Sequence, residues 1–66
     1  MNADKLKGKI KEKRFNYKTL ANKIGIGETS MTQKLNKKQP LLLREVKRLR
    51  KILNLDDKET IEIFFN

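Results

Sequence analysis

Apolar residues recur along this 66-residue chain at spacings of three and four, with no sustained alternation. That period belongs to helices with one buried face, so an all-α fold is expected, without strands. Residues 1–14, MNADKLKGKIKEKR, place Ala3, Leu6 and Ile10 on a narrow stripe among lysines 5, 7, 9, 11 and 13. Asn2 or Asp4 can cap its start. Gly8 inside it costs about 1 kcal/mol against alanine unless another backbone approaches there. Phe15 closes the core from the following loop. Asn16 suits the N-cap of a second helix whose Leu20, Ala21 and Ile24 share a face. Gly25 stands where that helix must stop, in a left-handed conformation cheap only for glycine. Ile26 can plug the corner, and Gly27 can cap a third helix from about Glu28 to Asn36. Met31 and Leu35 pin that helix, leaving Glu28, Thr29, Thr32, Gln33 and Lys34 on its other faces.

Lys37-Lys38-Gln39-Pro40 reads as an exposed loop. From Leu41 to Asn54 a fourth helix carries Leu42, Val46, Leu49 and Leu53 on one face, widened by Leu43 and Ile52. Leucine stands at its N-cap place, so an amide there is expected to rely on water. Asp56 and Glu59 resemble a capping box opening a fifth helix. In it Ile61, Phe64 and Phe65 form an apolar face, with Ile63 on the other side. These four residues are expected to bury either in the core or against a second subunit. Residues 1–66 read as one domain, without internal repeat or low-complexity segment.

So short a chain buries only about 60% of its unfolded surface, and a partner subunit would add stability. There is no cysteine or histidine, which removes disulfides, thiolate metal sites and the usual general base. With no paired carboxylates on a plausible cleft either, neither an enzyme nor a cofactor is expected. The longest apolar run, Leu41–Leu43, is far from the roughly 20 residues of a membrane span. The polar N-terminus does not read as a signal peptide, and a cytoplasmic location is expected.

Charge changes the picture most. The net charge is +9, but residues 1–51 carry +12 and residues 52–66 carry −3. A basic body suggests a polyanionic partner. The bland alternative is a basic surface that only solvates the chain. The stretch Asn16–Asn36 sharpens the choice, because its second helix presents a row of hydrogen-bonding side chains suited to base edges in a major groove. Gln33 can bond adenine through both amide groups, and Thr29 and Thr32 can offer a hydroxyl or a methyl to thymine. Glu28 can accept from cytosine, but it also suits the positive end of a helix. Lys37 and Lys38 are placed for phosphates. The same stretch also fits a helical hairpin with a solvated face.

The pieces LKGKIKEK, YKTLANKIGIGETSMTQKLN and LREVKRLRKILNLDDKETIEIFF together resemble the lambda-repressor-like DNA-binding domains over nearly the whole chain. Within that group the chain resembles small Cro-type regulators of bacteriophages and prophages of low-GC Gram-positive bacteria. The resemblance implies five helices with a helix-turn-helix at helices two and three. It also implies a homodimeric transcription regulator, acting as a repressor at a palindromic operator. By position, Glu28, Thr29, Thr32 and Gln33 fall where such proteins contact bases. Tyr17, Lys18, Asn36, Lys37 and Lys38 fall where they contact phosphates. Ile61, Ile63, Phe64 and Phe65 are the expected dimer interface. Two positions depart from the pattern: Lys37 stands where glycine commonly follows asparagine, and Lys34 replaces a usually apolar residue. A protein-binding regulator of the same fold, an antitoxin or antirepressor, is the main alternative. A membrane-surface peptide fits the glycine-punctuated middle poorly, and RNA binding lacks an aromatic stacking platform.

Overall fold

The structure, a computed structural model, describes residues 1–36 and 39–65. Five α-helices account for the regular elements: α1 Ala3–Glu12, α2 Tyr17–Ile24, α3 Glu28–Leu35, α4 Leu43–Ile52 and α5 Asp57–Phe64. There is no strand among the described residues.

Local chemistry sets the helix boundaries. Asn2 and Asn16 accept from the backbone N–H groups of Lys5 and Thr19 at 3.1 and 2.7 Å, each satisfying an orphan amide of a first turn. Asp56 and Glu59 form a reciprocal capping box, with bonds of 2.7 and 3.1 Å. Three helices end alike. Arg14, Gly25 and Asn54 follow α1, α2 and α4 at φ 62°, 81° and 53°. The apolar residue after each sends its N–H back to a helix carbonyl: Phe15 to Ile10, Ile26 to Ala21, Leu55 to Arg50. This is the Schellman ending, and its apolar residue folds over the helix end. Phe15 and Ile26 are half-buried against the core and Leu55 lies in it. A Cβ at Gly25 would also stand 3.2 Å from Arg48 Nη1, which donates to the Ile24 carbonyl at 2.8 Å.

The core joins Leu6 and Ile10 of α1, Leu20, Ala21 and Ile24 of α2, Met31 and Leu35 of α3, and Leu49, Leu53, Leu55 and Ile63 from the later elements. α2 packs on α3 and α4, while α1 packs on α3 and α5. Between α1 and α5 run a 2.6 Å bond from Asn2 N–H to the Ile63 carbonyl, a Lys5–Glu62 pair at 2.6 Å and a Lys9–Glu59 pair.

Two helices bury a different face from the one expected. In α4, Leu42 and Leu43 are 44% and 63% exposed while Glu45 is 2% exposed. Leu42 is the extended N-cap residue, outside the helical register, so the inward line runs through Glu45, Leu49 and Leu53 instead. Its N–H does not depend on water, because Glu45 Oε1 accepts it at 2.8 Å. In α5, Thr60 and Ile63 are buried, whereas Ile61 and Phe65 are 59% and 66% exposed. Thr60 can enter because its hydroxyl donates to the Asp56 carbonyl at 2.7 Å, leaving no buried donor unmet.

Gly8 has nothing within 4 Å of where a Cβ would sit, so close approach of another element does not explain it. Gly8→Ala is expected to stabilise the domain by about 1 kcal/mol. Thermal unfolding followed by circular dichroism would show a rise of roughly 4–8 °C.

Candidate nucleic-acid interface

At about 100° per residue, Glu28, Thr29, Thr32 and Gln33 occupy one side of α3, and Met31, Lys34 and Leu35 the opposite side. Burial follows that division. Met31, Lys34 and Leu35 are buried, Thr32 and Gln33 half-buried, Glu28 and Thr29 exposed. The four candidate base-contacting residues are thus brought onto one outward face.

Their polar atoms are already partly committed. Thr32 Oγ1 donates to the Glu28 carbonyl at 3.0 Å, so outward it offers a methyl and oxygen lone pairs. Gln33 Oε1 accepts from Gln39 Nε2 at 2.6 Å. A carbonyl oxygen has a second lone pair and the Gln33 amide nitrogen has two hydrogens, so a two-bond contact to adenine stays within its capacity.

The flanks of α3 carry the other candidates. Tyr17 opens α2 with its ring half-buried against the core. Lys18 is exposed and shares a shallow groove with Thr19, Asn22, Ile26 and Glu28, which links the starts of α2 and α3. Asn36 follows α3, and its Oδ1 accepts from Lys7 Nζ at 3.2 Å. Lys7 therefore joins the site, a residue that sequence reasoning did not single out. Five alternating lysines in α1 cannot be ranked from spacing, and only the packing of α1 on α3 selects one. Lys37 and Lys38 lie outside the described residues.

Charge is distributed unevenly around this face. Glu59, Glu62 and Asp57 pair with Lys9, Lys5 and Arg50, on the side of α1 and α4 that meets α5. The hydrogen bond from Lys5 holds the Glu62 carboxyl below its ordinary range. That from Lys9, with the Asp56 N–H, does the same for Glu59. In return Glu59, then Glu12, holds the Lys9 ammonium above the ordinary lysine range. The acidic end of the chain thus screens one flank and leaves Lys7 and Lys18 beside α3.

Lys34 was expected among the outward polar residues, and the structure corrects this. It is 8% exposed, and its Nζ donates to Glu45 Oε1 at 2.6 Å. Its aliphatic stem fills the usual apolar space while its charge is met inside the fold. Burial pulls the Glu45 carboxyl up, but the bonds from Lys34 and from the Leu42 N–H outweigh it and hold the group below its ordinary range. Glu45, Glu59 and Glu62 therefore add stability above the unfolded carboxylate pKa of about 4.3, lost as pH falls through their lower folded values. Urea midpoints measured from pH 7 to 2 are expected to be level near neutrality and to fall below about pH 4.5. Glu45→Gln should make that acid limb shallower.

The expected interface residues separate. Ile63 is core, Phe64 is half-buried against it, and Ile61 and Phe65 are exposed. Phe64 and Phe65 line an open apolar groove of about 610 Å³ with Met1, Pro40, Leu41, Leu43 and Val46. No helix among the described residues is long and apolar enough to cross a membrane. No family model, curated protein or solved structure matches the chain.

Proposed function

We propose that the chain is a sequence-specific double-stranded DNA-binding regulator, of the lambda-repressor-like Cro type, working in a bacterial cytoplasm. In this reading α2 and α3 act as a helix-turn-helix. α3 enters the major groove and presents Thr29, Thr32 and Gln33 to base edges, with Glu28 at its mouth. The observation that carries the reading is the single outward polar face of α3, flanked by Tyr17 and Lys18 at one end and by Asn36 and Lys7 at the other. Those flanking groups, with Lys37 and Lys38, hold the phosphates and fix the register. Two copies meet through the exposed Phe65 and Leu43 beside the apolar groove and read a palindromic operator as a repressor.

The same groove favours the second reading, in which it receives another protein and the chain is an antitoxin or antirepressor. Selection of bound duplexes from a random pool separates the two. Enrichment of an inverted repeat with half-sites about one helical turn apart supports the first. Recovery of unenriched DNA excludes it.

A further inference from the structure

We propose that the buried Lys34–Glu45 pair is a positioning device that sets how α3 stands against α4, and so governs discrimination between DNA sequences rather than overall affinity. This rests on the DNA-reading function above. Lys34 Nζ reaches three elements at once: it belongs to the last turn of α3, and it donates to the Pro40 carbonyl at 3.4 Å and to Glu45 of α4 at 2.6 Å. Glu45 Oε1 also accepts the Leu42 N–H at 2.8 Å. Residues 34, 40, 42 and 45 thus form a closed circuit of directional bonds across the connection between α3 and α4. Stability alone does not call for it, because a well-packed apolar pair does as well as or better than two desolvated charges. Direction is what an apolar pair lacks. Lys34 adjoins Gln33, and because the helix is rigid, an inward anchor at 34 fixes where Thr29, Thr32 and Gln33 point. Base contacts tolerate displacements of only about 0.5 Å.

The test compares the unmodified chain with the double variant Lys34→Met/Glu45→Leu, and with Glu45→Gln. The double variant removes one charge of each sign, so the net charge and the phosphate attraction are unchanged. It should fold with an equal or higher melting temperature and bind random DNA within about twofold of the unmodified chain. Its preference for the selected duplex over random DNA should fall about tenfold, the size of one mismatched base pair. Without DNA, the backbone amide shifts of Thr29, Thr32 and Gln33 should move. Glu45→Gln keeps an Oε1 for both Lys34 and Leu42 and should keep the preference even at lower stability. The proposal is overturned if the double variant retains full preference, or if Glu45→Gln loses as much as the double variant does. An unmodified chain without preference for any duplex removes the DNA-reading function itself, and the proposal with it, before a variant is made.

Discussion

Ile63→Ala is expected to cost about 2–5 kcal/mol, the range for truncating a fully buried aliphatic side chain. Ile63 is 1% exposed within the core cluster, and its carbonyl holds the Asn2 N–H at 2.6 Å. A domain this small has roughly 0.05–0.15 kcal/mol of stability per residue, so the variant should be largely or wholly unfolded at 25 °C by urea titration. Phe65→Ala should behave oppositely. Its ring is 66% exposed, and exposed substitutions stay within about 0.5 kcal/mol. What Phe65→Ala should weaken is self-association, followed by sedimentation over a range of concentration. If Phe65→Ala left association unchanged, the groove would not be where two copies meet.

DNA affinity should fall steeply with salt. About six phosphate contacts per dimer give a slope of log K against log salt near −5, or roughly a thousandfold loss between 50 and 200 mM. The lysines around α3 make this expectation specific, because Lys5 and Lys9 are engaged by Glu62 and Glu59 while Lys7 turns to Asn36. Lys7→Ala, Lys37→Ala and Lys38→Ala should each make the slope shallower by about one and weaken operator and random DNA alike. A slope near zero for the unmodified chain would mean that the basic body does not serve a polyanion.

The features legible in the sequence are those decided within one helical turn. Asn16, Gly25 and the Asp56–Glu59 box mark their boundaries because their bonds close over three or four residues. The stripes of α1, α2 and α3 were readable because those helices bury two or three apolar residues in unambiguous register. The faces of α4 and α5 were not. Both have apolar residues on more than one side, and the inward side is chosen by polar residues whose partners the apolar period cannot show. Glu45 enters to meet Lys34 eleven positions away, and Thr60 enters because its hydroxyl is satisfied by Asp56. The outward row of α3 could be named from the sequence, but its supporting contacts from Lys7 and Gln39 depend on packing and loop placement.

The most direct test of the reading assigned to α3 is competition binding of Gln33→Ala at one fixed salt concentration. A base contact carries sequence information and a phosphate contact does not. Gln33→Ala should therefore lose about 1–3 kcal/mol on the selected duplex and little on random DNA. An equal loss on both would show that residues 28–36 do not form the reading helix, and would contradict the mechanism proposed for this chain.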